Sequence, residues 1–147
     1  MSRKRLSTYT APPTEVTRAL DELRARYEVP TAFPPEALAE AEATATSWAQ
    51  DGPARLLADG ARDARDLDLV TIDPPGSKDL DQALCIETLG DGYRVYYAIA
   101  DVAAFVEPSS LVKQESLKRG QTIYLPDEPA RLHPAPLSEG SLSLIHI

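Results

Sequence analysis

The first apolar positions with a clear rhythm are Val16, Ala19, Leu20, Leu23 and Tyr27. Their spacing at i, i+3, i+4 and i+7 predicts an amphipathic helix over 15–27, with Thr14 placed to cap it and Val29-Pro30 to end it. Pro34-Pro35 opens a second helix, with Glu36 favouring its positive end and Ala37, Leu38, Ala41, Ala45 and Trp48 forming its apolar stripe. Asp51-Gly52-Pro53 is expected to break that helix and leave a short one over 54–58. From residue 66 the rhythm changes. Residues 68–73 read as a short strand, stopped by Pro74-Pro75. Residues 83–89 and 93–100 are two β-rich runs around Gly90-Asp91-Gly92, a hairpin signal. Ser109 or Ser110 caps a helix that runs to Lys118, and 122–125 read as a strand ended by Pro126. Four prolines between 126 and 136 predict loop for the remainder. The pattern is α+β: a helical N-terminal segment, 14–65, followed by mixed α/β structure from 66 onward, with 1–13 as a polar, disordered arm.

Composition narrows the function classes. The single cysteine, Cys85, excludes an intramolecular disulfide and any Cys-rich zinc site, and two histidines are too few for a His-based metal cage. No apolar run is long enough for a transmembrane helix, and no apolar core follows the basic start, so the expectation is a cytoplasmic protein with no membrane partner. The net charge is −8, with the only basic excess in residues 1–30. An acidic chain argues against tight non-specific nucleic-acid binding through surface charge alone, yet it leaves room for a carboxylate-held cation that meets a phosphate.

The chemistry-bearing segment is Asp73 to Asp81. Three carboxylates, Asp73, Asp79 and Asp81, lie within nine residues on a loop stiffened by two prolines. Their mutual repulsion is costly unless a cation offsets it. Asp79 and Asp81 are at i, i+2 and share a side of extended backbone, and Gly76 lets the loop turn back toward them. Hard oxygen donors in this number suit Mg²⁺ or Mn²⁺ rather than a closed Ca²⁺ cage, and phosphoryl transfer is the usual chemistry of such a site. On spacing alone, a solvated turn-forming Asp-rich loop explains the same residues.

The run Thr71-Ile-Asp-Pro-Pro-Gly-Ser-Lys-Asp-Leu-Asp-Gln-Ala-Leu84 resembles the opening motif of the RNB catalytic domain, of the ribonuclease II / ribonuclease R family of 3′→5′ exoribonucleases. Three further blocks agree in order and spacing: Tyr97 to Val106, Arg119 to Pro126, and Leu137-Ser-Glu-Gly140. The resemblance covers residues 66–141 and implies the N-terminal part of that catalytic domain, an incomplete mixed α/β unit. It implies Asp73, Asp79 and Asp81 as catalytic metal ligands for Mg²⁺ or Mn²⁺. Gln82 stands where the family often has a further aspartate, as a neutral ligand with one carbonyl oxygen. It implies Tyr124 as a stacking surface for single-stranded RNA. Lys78, inside the acidic loop, either contacts an RNA phosphate or only offsets the carboxylates. The expected function of the intact protein is Mg²⁺-dependent hydrolytic removal of 5′-nucleoside monophosphates from RNA, this chain alone being inactive. The alternative is a non-catalytic RNA-binding or regulatory module of the same family, favoured by Gln82.

Two features depart from the family pattern. The residues before the domain read as helical, without the strand alternation of the OB-fold RNA-binding domains usually placed there. Leu142-Ser-Leu-Ile-His-Ile147 is identical to one reading frame of a transposon-based sequencing adapter, so 142–147 is expected to be a non-native tail on a truncated frame.

Overall fold

A computed structural model of the chain describes residues 14–78 and 80–143. The expected arm at 1–13, the carboxylate Asp79 and residues 144–147 of the expected tail lie outside the described residues. The chain divides into two compact units, Met1–Ala32 and Phe33–Ile147.

The first unit contains α1, Thr14–Arg26. Of its expected stripe Leu20 is buried, while Val16, Leu23 and Tyr27 are largely exposed. The helix is stopped at Glu28, which takes a left-handed φ of 51°. The N–H groups of Glu28 and Val29 turn back to the carbonyls of Ala25 and Arg24, at 3.3 and 2.9 Å. That is the reverse-turn cap usually given to glycine.

The second unit is built on α2, Pro35–Ala58, a single helix of 24 residues. The break expected at Asp51-Gly52-Pro53 does not occur. A residue before proline is pushed out of helical conformation partly through its own Cβ, and Gly52 has none. Pro53 therefore sits inside the helix. Gly52 is also where the Trp48 ring lies: a Cβ added there would come within 2.3 Å of the indole. The two helices of the expected N-terminal segment thus fall in different units, and α2 shares its unit with the hairpin and the helices after it.

The sheet has two strands, β1 (Gln82–Leu89) and β2 (Gly92–Ile99), paired antiparallel with Gln82 opposite Ile99 and Leu89 opposite Gly92. The turn is Gly90-Asp91, with a positive φ of 58° at Gly90, the place glycine takes in tight hairpin turns. Alternation is clear. Ala83 and Cys85 are buried, whereas Ile86, Val95, Tyr97 and Ile99 on the opposite face are more than half exposed. The strand expected over 68–73 shrinks to one bridge, Val70 to Leu84, with reciprocal bonds of 2.9 Å. The strand expected over 122–125 shrinks to one bridge, Ile123 to Ala130. In both places prolines follow within a few residues and remove the donors a longer ladder needs.

Among the described residues, three helical elements come after the hairpin. A short helix, α3, spans Val102–Phe105 and is capped by Asp101, whose Oδ1 accepts from the Ala103 N–H at 3.1 Å. Next comes α4, Leu111–Arg119, with Ser110 Oγ accepting from the Lys113 N–H at 3.0 Å and Gly120 closing it at φ 74°. The segment expected as loop contains one wide helical turn of π type, Pro136–Ser141, whose i→i+5 bond joins the Leu142 N–H to the Leu137 carbonyl at 2.9 Å.

The core lies between α2 and these three elements. Ala41, Phe105, Val106, Val112, Leu137 and Leu142 are buried together, with Ala45 and Trp48 packed against them. The Trp48 and Phe105 rings are 4.1 Å apart at their centroids. Glu40 ties α2 to α4 by a polar clamp. Its two carboxylate oxygens accept from the N–H groups of Leu111 and Val112 at 3.0 and 3.2 Å, satisfying two of the donors that a helix N-terminus leaves open. No helix of the described residues is long and apolar enough to cross a membrane.

Candidate functional site

The end of the acidic loop, the start of α3, the segment after α4 and the π-type turn together wall a cavity of about 500 Å³. Lys78 and Asp81 reach it from the loop, Tyr124 and Thr122 from the segment after α4, Arg131 and His133 from the proline-rich stretch, and Glu139 from the turn. Three residues expected at the site therefore line one cavity: Lys78 and Asp81 from a single loop, and Tyr124 from more than 40 residues further along the chain.

Local structure explains the placement. Gly76, at φ 93°, bends the loop after the two prolines, and Ser77 closes the turn, with both its N–H and its hydroxyl bonded to the Pro74 carbonyl. Asp81 continues the hairpin ladder by one step: its carbonyl accepts from the Ala100 N–H at 2.8 Å. Successive side chains on extended backbone point to opposite sides. Asp81 lies at the cavity, and Gln82, one residue on, is not among the residues that line it. The Gln82 carbonyl oxygen instead accepts a hydrogen bond from the Tyr97 hydroxyl across the hairpin. Asp73 is exposed on the segment before the two prolines and also does not line the cavity. Tyr124 presents its ring freely, at 77% exposure.

Oxygen donors from Asp73, Asp79 and Asp81 are the chemistry Mg²⁺ or Mn²⁺ takes. Among the described residues no three acidic, histidine or cysteine side chains gather closely enough to hold a metal.

Several cavity residues were not singled out from the sequence. Arg131 pairs with Glu139 across the cavity wall. Its backbone carbonyl accepts from Arg119 Nη1 at 3.1 Å. The Arg119 side chain is itself buried, bonded through Nε to Glu115 at 2.9 Å and stacked 3.6 Å from the centre of the Phe33 ring. His133 has a partner on α4: its Nδ1 is 2.9 Å from Ser116 Oγ. Burial pushes the His133 imidazole below its ordinary value, and the nearby Lys113 charge adds to that. The sequence signal for these residues is weak. Arg131 and His133 bracket Leu132 in a proline-rich stretch, and nothing local separates that pattern from a surface loop.

The RNB domain family matches this chain over residues 61–146. Ribonuclease R of Acidithiobacillus ferrooxidans is 38% identical over 139 residues, which are 95% of this chain and 30% of that protein. Ribonuclease R of Escherichia coli is 42% identical over 86 residues, 58% of this chain and 11% of that protein. Among solved structures, the apo form of Mycoplasma genitalium RNase R matches 89% of this chain and 20% of that one, at 28% identity and a TM-score of 0.76. The same enzyme in complex with ribose-methylated single-stranded RNA matches 56% of this chain and 13% of that one, at 39% identity and a TM-score of 0.54. The chain spans at most 30% of the length of these curated relatives.

Proposed function

Because this chain belongs to the RNB domain family, we propose that the whole protein is a hydrolytic 3′→5′ exoribonuclease that acts in the cytoplasm on single-stranded RNA and releases 5′-nucleoside monophosphates. The observation that carries this reading is the convergence of Asp81, Lys78 and Tyr124 on one cavity. Asp73, Asp79 and Asp81 would hold Mg²⁺ or Mn²⁺, with Gln82 as a neutral neighbour. When bound, such a cation polarises the phosphodiester and makes a bound water more acidic. The exposed Tyr124 ring offers a stacking surface for a base, which suits a sequence-tolerant degrader. Lys78 places a positive charge beside the carboxylates, where the RNA phosphate would approach. This chain spans at most 30% of the length of its curated relatives and by itself is expected to be inactive.

A non-catalytic RNA-binding module is the second reading. The hold of Tyr97 on the Gln82 oxygen favours it, since that contact engages the oxygen across the hairpin while Asp81, not Gln82, lines the cavity. One set of assays on the full-length protein separates the two. Hydrolysis of single-stranded RNA is expected to cease with EDTA and with Asp81→Asn, while RNA binding by Asp81→Asn stays near wild type. Undiminished hydrolysis by Asp81→Asn overturns the carboxylate assignment. An inert natural protein that Gln82→Asp converts to a nuclease establishes the second reading.

A further inference from the structure

Ser116 has one hydroxyl hydrogen and two neighbours, and this fixes the state of the histidine beside it. The hydroxyl donates to the Val112 carbonyl one turn back, at 2.7 Å. The contact of 2.9 Å with His133 Nδ1 must then run the other way, with Nδ1–H donating to the Ser116 oxygen. In the neutral ring this leaves Nε2 as a bare acceptor, and no hydrogen bond to it occurs among the described residues. His133 is one of the residues that line the cavity, together with Asp81 and Tyr124.

A neutral Nε2 cannot bond to a phosphate oxygen, since both are acceptors. Its partner must bring a hydrogen. Donors on bases differ from one nucleotide to the next, and a contact to them would read sequence. The ribose 2′-hydroxyl recurs at every nucleotide of RNA and is the group that tells RNA from DNA. We propose that His133, held in the Nδ1–H form by Ser116, accepts a hydrogen bond from a ribose 2′-hydroxyl of RNA bound in this cavity and so contributes to its choice of sugar. This rests on the proposed function of the cavity as an RNA site.

Binding of the full-length protein to oligouridylate and to 2′-fluoro-oligouridylate of equal length, in EDTA to prevent hydrolysis, tests it. The fluoro sugar keeps the ribose pucker and has no hydrogen to donate. Wild type is expected to prefer RNA. His133→Phe, which keeps the ring shape, should lower that preference about three- to tenfold, the worth of one neutral hydrogen bond, with affinity for the fluoro oligomer unchanged. Ser116→Ala releases the tautomer without emptying the site and should lower the preference by a smaller factor. A preference that neither variant moves, or an equal loss for both oligomers, overturns the proposal. Failure of wild type to bind either oligomer overturns the RNA reading of the cavity, and this inference with it.

Discussion

Replacing Glu40 by alanine is the sharpest test of how α2 is joined to the rest of the unit. The carboxylate bonds to two N–H groups at the start of α4, 71 and 72 residues away in sequence. The two bonds are not equivalent. The Leu111 bond is exposed, so water replaces the lost partner at little cost. Val112 is only 3% exposed, and its N–H sits in a partly buried contact. Losing an ionised acceptor there costs about 1–2 kcal/mol. Removing a negative charge from the helix N-terminus adds about 0.3–1 kcal/mol. Ser110 still caps the Lys113 N–H, so the helix itself persists. The sum is about 2 kcal/mol, or roughly 6 °C in melting temperature for a chain of this size. Glu40→Gln keeps one acceptor oxygen and should cost about half as much. Urea unfolding gives the global value, and amide hydrogen exchange at Leu111 and Val112 gives the local one. A midpoint unchanged in Glu40→Ala, with exchange at both amides also unchanged, refutes the clamp.

Three further outcomes come from the same packing. Gly52→Ala puts a Cβ within 2.3 Å of the indole and must push Trp48 off Phe105, at a net cost of about 1–2 kcal/mol; fluorescence of the sole tryptophan should shift, and an unmoved spectrum contradicts the packing. A chain begun at Phe33 should keep its thermal transition, whereas one begun at Asp66 loses Glu40, Ala41, Ala45 and Trp48 and should show none by circular dichroism; a cooperative melt of the shorter chain refutes the role of α2. The folded His133 takes up a proton less readily than the unfolded chain does, because burial lowers it and Lys113 repels the charged form. Stability is therefore full above the ordinary value of 6.5 and declines as pH falls below it; His133→Phe should flatten that decline between pH 7.5 and 5.5, and an equal slope in variant and wild type counts against the shift.

The sequence made some of this legible and hid the rest for identifiable reasons. The hairpin was readable because its alternation and its glycine turn are local signals, and β1 and β2 lie within a residue or so of the expected limits. The helix α4 was readable through its Ser110 cap and Gly120 stop. The continuity of α2 through Pro53 was not, because it depends on a glycine that relieves the steric clash and an indole packed over that glycine. The π-type turn was hidden for a similar reason: its i→i+5 bond brings Leu137 and Leu142 into a core supplied by α2, α3 and α4. At the site, Lys78, Asp81 and Tyr124 stood out because each lies in an ordered motif block. Arg131 and His133 did not, since their role comes from partners on other elements, Glu139 and Ser116, that only folding supplies.

The central claim is directional hydrolysis of RNA at a carboxylate site, and end-labelled substrate tests it most directly. Full-length protein with Mg²⁺ should shorten a 5′-labelled single-stranded RNA progressively, and with RNA labelled in the backbone it should release 5′-monophosphates from the first time point. Asp81→Asn should bind the same RNA and leave it intact. Internal cleavage, shortening from the 5′ end, or degradation by Asp81→Asn at the wild-type rate would contradict the account.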